Sequence, residues 1–151
     1  MTAGPQMPTT RRTIFIFSLE RWGNMWYSKH HYAARLARDH EVFFVEFPER
    51  WRPRHLFSWR ARTTTTPENV KVVTYQNTLP RKLGSFIGRW NGRKLMKLQH
   101  DPHPICWCFH PLVLKECEAM SRAGARVIYH PVDPYQSFPE DTPMARLSDL
   151  L

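Results

Sequence analysis

Short runs of consecutive apolar residues recur along the chain, separated by segments with helical periodicity. The runs at residues 13–18 and 42–47 read TIFIFS and VFFVEF. Continuous apolar runs of this length are typical of strands buried on both faces of a parallel sheet. Residues 70–75, 105–109 and 126–129 form three similar runs. The pattern therefore predicts five strands.

Helical spacing fills the intervals between these strands. Ser28 is a predicted cap for a helix that runs to about residue 40, with apolar positions spaced i, i+3 and i+4. Further helices are predicted over about 83–99, over 112–122 and from 139 onward. The helix at 83–99 contains Gly84, Gly88 and Gly92, and each helical glycine costs about 1 kcal/mol relative to alanine. We therefore expect packing against another part of the protein to stabilise this helix.

The alternation of strands and helices predicts an α/β fold with a Rossmann-like, doubly wound parallel sheet over residues 13–151. Residues 1–12 contain two prolines and no periodicity, so they are predicted to form a disordered leader. Between the second and third strands, prolines and the threonine run at 63–66 predict an irregular excursion.

Charge is concentrated in two places. The 151 residues carry a formal charge of +9. Residues 50–62 contain five arginines, residues 81–97 contain six lysines and arginines, and neither segment contains an acidic residue. Tryptophan and phenylalanine are interleaved with these cations. The predicted membrane- or anion-binding residues are Arg50, Trp51, Arg52, Arg54, Trp59, Arg60, Arg81, Lys82, Arg89, Trp90, Arg93 and Lys97.

Three interpretations of the basic segments stay open at this point. Arginine and tryptophan together can pair with phosphates and stack on nucleic-acid bases. The same residue types suit the surface of an anionic membrane, where aromatic rings lie at the level of the headgroups. A solvated charged face is the third interpretation.

Several function classes are excluded by missing motifs. No G-x-G-x-x-G follows the first strand and no P-loop sequence occurs, which excludes the usual dinucleotide and P-loop nucleotide sites. The residues given predict neither a signal peptide nor a membrane-spanning helix. The three cysteines are odd in number and lie in apolar stretches, which favours a reducing, cytoplasmic location. We expect the thiols of Cys106 and Cys108 to point apart in the core, and we predict no metal site.

Two histidines lie where the fourth and fifth strands end. His110 and His130 are each followed by a proline, and Asp133 comes three residues after His130. Ligands of doubly wound sheets bind at the carboxyl ends of the strands. Histidine there can donate to a phosphate or sugar hydroxyl or act as an acid or base, and Asp133 can bind hydroxyls. Capping of the strand ends is the alternative.

The loop after the first strand holds a second candidate cluster. Aromatic side chains stack on sugar rings, a glycine permits close approach of the backbone, and a helix N-terminus offers free N–H groups. Closure of the end of the core is the alternative interpretation. The candidate residues of this loop are Trp22, Gly23, Asn24, Trp26 and His30.

The segments TIFIFS, VFFVEFPERWRP, ICWCFHP and RVIYHPVDPYQSF, in this order, resemble the N-terminal half of a GT-B-fold glycosyltransferase. The similarity is greatest to the family 1 and family 4 group, of the type that makes teichuronic acid and other cell-surface polysaccharides. It covers about residues 13–151. Relatives often have Tyr-Asp-x-x-Asp-Asp after the fifth strand, where this chain matches only at Asp133.

The resemblance implies that the two halves of the enzyme bind different substrates. This half binds the acceptor, a glycan or a lipid-linked sugar, while a C-terminal half binds the nucleotide-sugar donor without a metal. His130 falls at the position of an active-site histidine, and Gly23 falls in the loop beneath the donor phosphates. The chain is expected to be truncated before the donor-binding domain, to have little transferase activity alone, and to sit at the inner face of the membrane. The alternative function is a stand-alone basic α/β domain that binds nucleic acid or another polyanion.

Overall fold

The computed structural model describes residues 10–131, which fold into one six-stranded sheet flanked by three helices. Asp133, the helix predicted from residue 139 and most of the predicted leader lie outside the described residues. None of the helices in the described part is long and apolar enough to cross a lipid bilayer. The elements are β1 Thr13–Ser18, α1 Ser28–Leu36, β2 Glu41–Glu46, β3 Arg62–Thr65, β4 Lys71–Thr74, α2 Phe86–Met96, β5 Ile105–Cys108, α3 Leu114–Arg122 and β6 Arg126–Tyr129.

The strand order is β3-β4-β2-β1-β5-β6, and every neighbouring pair is parallel except β3 with β4. From β1 the chain proceeds to β2 and then β4 on one side, and afterwards crosses to β5 and β6 on the other. This reversal defines a doubly wound sheet with its switch point between β1 and β5. The predicted Rossmann-like α/β fold is confirmed.

The sheet separates two hydrophobic clusters, as expected for strands buried on both faces. All six residues of β1 are buried. Phe15 and Phe17 pack in the cluster that contains Leu95 of α2 and Met120 of α3. The alternate residues of β1 pack with Ala33 of α1 on the opposite face. Within the first cluster, the rings of Phe15 on β1 and Phe43 on β2 stack at a centroid distance of 4.9 Å.

The threonine run is a strand, so the prediction of an irregular excursion was wrong for this stretch. Arg62–Thr65 pairs antiparallel with Lys71–Thr74 at the edge of the sheet. The turn between them is closed by Thr66 N–H, which donates to the Val70 carbonyl at 2.9 Å, and it places Asn69 at a φ of 63°. Threonine is β-branched and polar, which suits an edge strand whose four residues are all exposed.

The glycines of α2 permit a close approach to α3. A Cβ built on Gly88 would lie 2.7 Å from Cβ of Lys115, and one built on Gly92 would lie 2.5 Å from the Glu116 carbonyl oxygen. The third glycine, Gly84, has a φ of 150° and separates a 3-10 turn from the start of α2, which begins at Phe86 rather than residue 83. The expectation that external packing stabilises this helix is confirmed.

We predict that Gly92→Ala destabilises the protein. Alanine gains about 1 kcal/mol of helix propensity, but its Cβ meets the backbone of α3, and overpacking costs about 1–3 kcal/mol. The expected net loss is about 1 kcal/mol in the free energy of unfolding, measured by urea denaturation. Gly23→Ala is the control, because no atom lies within 4 Å of a Cβ at that position. A Gly92→Ala protein more stable than the wild type would contradict the prediction.

Candidate functional site

The switch point between β1 and β5 carries a cluster of polar side chains. Ser18 ends β1, and its hydroxyl donates to the Glu20 carboxylate at 2.7 Å. The Lys29 ammonium, only 12% exposed, forms an ion pair with the same carboxylate. His110, two residues after β5, lies close enough for both charges to affect its titration. We call Ser18, Glu20, Lys29 and His110 the switch-point cluster.

Local electrostatics fix the protonation states of the cluster. Burial alone would raise the pKa of Glu20, but hydrogen bonds from Lys29 and Ser18 outweigh it and hold the pKa below its usual value. Burial, reinforced by the positive charge of Lys29, lowers the pKa of His110 to about 4. Because Nδ1 of His110 accepts the Leu112 N–H at 3.1 Å, the proton of the neutral ring is on Nε2. The crevice thus presents a carboxylate, an ammonium and a neutral imidazole.

His130 stands beside this cluster on the neighbouring strand. The backbone N–H of His130 donates to the Cys108 carbonyl at 2.8 Å, which continues the pairing of β6 with β5. Its exposed ring stacks on Phe109 at 5.4 Å, and Lys29 Nζ lies 5.7 Å from the centroid of the same phenylalanine. The structure therefore brings the two predicted histidines to one edge, with Phe109 in contact with both Lys29 and His130.

The loop after β1 is anchored by its aromatic residues. Trp22 contacts Trp26 at 5.1 Å and Phe44 of β2 at 5.0 Å. His30 is fully buried, accepts the Tyr27 N–H at Nδ1 and donates from Nε2 to the Arg21 carbonyl. His30 therefore holds the loop in place.

The tip of the same loop is open to solvent. Gly23 and Asn24 are exposed, while Trp22 and Trp26 are half-buried. These four residues are accessible at the same edge as the switch-point cluster, and the sugar contacts predicted for them stay predictions.

The two basic segments meet in one surface. Trp59 from the first segment contacts Trp90 of α2 at a centroid distance of 5.3 Å. Lys94 of the second segment also bonds to the first, because its buried ammonium donates to the Ser58 carbonyl at 2.9 Å. The same ammonium donates to the Gln76 carbonyl and the Thr78 hydroxyl at 3.1 Å. A groove on this surface, which we call the basic aromatic face, is lined by Trp59, Phe86, Arg89, Trp90, Arg93, Lys94, Lys97 and Arg122.

Two residues predicted to contact an anion have hydrogen-bond partners within the protein. Trp51 is half-buried and donates its indole N–H to the Thr78 carbonyl at 3.0 Å. Arg81 forms an ion pair with Glu116, which is fully buried on α3, and donates to the Leu112 carbonyl at 2.7 Å. Burial opposes the charge of Arg81, but Glu116 outweighs it and the pKa of Arg81 is raised. Other members of the predicted set are exposed, namely Arg50, Arg52, Arg54, Trp59, Arg60, Lys82, Trp90, Arg93 and Lys97.

The cysteines are core residues, but they do not point apart. Residues two positions apart on a strand share a face, and Cys106 and Cys108 both lie in the cluster that contains Cys117 of α3. All three are free and buried, and burial raises the pKa of Cys106 to about 12. Within residues 10–131, no three histidine, cysteine, aspartate or glutamate side chains form a group that could hold a metal ion.

Glu20 and Lys29 were not singled out from the sequence. Glu20 comes two residues after β1 and Lys29 lies in the first turn of α1, so both occupy the carboxyl edge. The available signal was position alone, because a single glutamate and a single lysine nine residues apart match no motif.

Comparison of the chain with protein-family models, with curated proteins and with solved structures finds no match. Function is therefore argued from the geometry and chemistry of the site.

We predict that Arg81→Met lowers the free energy of unfolding by about 3 kcal/mol, because it leaves the buried Glu116 carboxylate without its partner. The double variant Arg81→Met/Glu116→Leu should recover most of this loss. Lys115→Met, which breaks the exposed pair with Glu118, is the control and should change stability by less than about 1 kcal/mol. Equal effects of Arg81→Met and Lys115→Met in urea denaturation would contradict the prediction.

The lowered pKa of His110 predicts acid sensitivity. The unfolded ring takes up a proton below its usual pKa of 6.5, whereas the folded ring resists protonation until about 4. Stability from this group is therefore present above pH 6.5 and is lost as the pH falls toward 4. His110→Asn keeps an acceptor for the Leu112 N–H but cannot take up this proton. Between pH 6.5 and 4, the variant should therefore lose about 1–2 kcal/mol less stability than the wild type. The exposed His100→Asn should follow the wild type, and a His110→Asn profile parallel to both would refute the assignment.

Proposed function

We propose that the switch-point cluster binds the sugar of an acceptor, and that the chain is the acceptor-side half of a GT-B-type glycosyltransferase. The observation that carries this proposal is the convergence of Glu20, Lys29 and His110 on the crevice between β1 and β5, beside Phe109. Ligands of doubly wound sheets occupy this crevice. The nucleotide-sugar donor belongs to a second half outside this chain.

The chemistry of the cluster suits a polyhydroxylated ligand. An ionised carboxylate accepts hydrogen bonds from sugar hydroxyls, and the Lys29 ammonium can donate to sugar oxygens. His110 is neutral at physiological pH, so its ring brings no further charge to the crevice. Aromatic faces at the same edge, on Trp22 and Trp26, offer surfaces against which a sugar ring can stack.

His130 is the proposed acid–base residue. Transfer requires the attacking acceptor hydroxyl to lose a proton, and histidine is the side chain most often used for this at neutral pH. Its ring is exposed at the end of β6 and stacks on Phe109, whose ring also contacts Lys29. Glu20 and Lys29 then orient the acceptor, while His130 receives the proton.

The test is ligand-observed NMR of the chain with methyl glycosides of neutral, N-acetylated and acidic hexoses. We expect at least one glycoside to bind, and Glu20→Gln to weaken it about tenfold, the cost of one charged hydrogen bond. Glu118→Gln is the matched control, since Glu118 is also ion-paired but lies on α3. His130→Phe keeps the stacked ring, so it should retain glycoside binding and, when joined to a donor-binding half, lose transfer.

Two outcomes would overturn the proposal. The first is a wild-type chain that binds none of the glycosides at millimolar concentration. The second is tight binding of UDP-glucose to this chain alone, which would place the donor rather than the acceptor on this half.

A further inference from the structure

Exposed apolar side chains surround the basic aromatic face. Trp59 is 53% exposed and Phe86 45%, and both line the groove. Phe57, 78% exposed, and Leu83, 61% exposed, lie two and three residues away along the chain. Single exposed apolar residues are ordinary, but neighbouring ones rimmed by cations mark an interaction surface.

The cations form a stripe beside these apolar residues. Arg89, Arg93 and Lys97 recur every four residues and therefore share one side of the helix region. The opposite side of α2 buries Ile87 and Leu95 in the fold. Among residues 10–131, no carboxylate lines the groove, although Arg122 in its lining pairs with Glu118. An outward side that combines aromatic and basic residues is typical of helices that lie in the interface of an anionic bilayer.

The geometry points to an anionic lipid bilayer as the partner of the basic aromatic face. Bilayer binding uses each part of this surface, because the apolar side chains enter the interface while arginine and lysine meet lipid phosphates. Nucleic acid fits less well. The indole rings of Trp59 and Trp90 are tilted by 46° and pack against each other, so they do not form parallel open platforms for successive bases. Leu83 and Phe57 likewise have no counterpart on a phosphodiester backbone.

The direction of α2 sets how the protein would sit on the membrane. Because β4 and β5 are parallel, the connecting helix begins at the carboxyl edge and runs toward the amino edge. The apolar end of the face, at Leu83 and Phe86, therefore lies at the edge where the switch-point cluster opens. If the acceptor is lipid-linked, as follows from the proposed function, its headgroup is presented beside the crevice; the docking itself does not depend on that function.

The test is flotation of the full chain with phospholipid vesicles, without any sugar present. Vesicles of phosphatidylglycerol and phosphatidylcholine in equal parts should bind the protein, and vesicles of phosphatidylcholine alone should bind at least tenfold less. Arg93→Gln/Lys97→Gln should weaken binding about twentyfold, as expected for two cations at an anionic surface. Raising the salt concentration should weaken wild-type binding as well.

Two further variants locate the contact. Arg35→Gln/Arg38→Gln removes the same amount of charge from the opposite face of the sheet. Arg35 lies in α1 and Arg38 follows it, and both are exposed, so this variant should bind like the wild type. Phe57→Ser should weaken binding about fivefold without affecting folding, because the side chain is mostly in solvent.

The inference is overturned if both double variants lose binding equally, since that would reveal a response to net charge alone. It is also overturned if neutral and anionic vesicles bind alike, or if a single-stranded oligonucleotide binds more tightly than the vesicles. Because no sugar enters this experiment, its outcome is independent of the glycoside titration. A protein that floats with anionic vesicles but binds no glycoside would keep the docking surface and remove the transferase proposal.

Discussion

The close approach of α2 to α3 is the constraint on which the rest of the structure depends. Gly88 and Gly92 let the two backbones come together, and the carboxylate of Glu116 is buried in the contact. A buried carboxylate needs a partner, and Arg81 supplies it from the 3-10 turn that precedes α2. The same arginine donates to the Leu112 carbonyl, and the Leu112 N–H in turn donates to Nδ1 of His110. The packing of α2 on α3 is therefore linked, through the bonds of Arg81, to the position of His110 at the switch point.

The inner side of α2 buries two polar residues, Asn91 and Lys94, beside the apolar Ile87 and Leu95. Asn91 donates to Asn77 at 2.6 Å, and Lys94 donates to groups on two loops. Burial lowers the pKa of Lys94, which shows the cost of this position for a charged group. In return, its hydrogen bonds with the Ser58, Gln76 and Thr78 oxygens fix the loops after β2 and β4. The basic aromatic face is consequently a property of the folded protein and not of either basic segment alone.

The sequence was sufficient for the architecture because burial leaves a direct mark on it. A strand such as β1, covered on both sides, must be continuously apolar, and the reversal of winding places strand ends where ligands bind. The edge strand β3 leaves no such mark, since its exposed threonines resemble a loop. The internal partners of Trp51 and Arg81 are not evident from the sequence for a related reason. An arginine looks the same in sequence whether its partner is a solvent anion or, as for Arg81, a buried carboxylate thirty-five residues away. The switch-point cluster depends on such distant partners too, because the charges of Glu20 and Lys29 act on His110 only once the sheet has placed β5 beside β1.

The crevice and the basic aromatic face are connected by covalent and polar links at one edge of the sheet. Arg81 connects the two. Leu83 and Phe86 of the face follow it in the chain, while its guanidinium group donates to Glu116 and to the Leu112 carbonyl, close to His110. The guanidinium group is also 5.6 Å from the Phe47 ring, so it is packed as well as paired. In the proposed docking, these contacts of Arg81 hold the basic aromatic face and the crevice in one folded unit, which a flexible basic tail of the same charge would not provide.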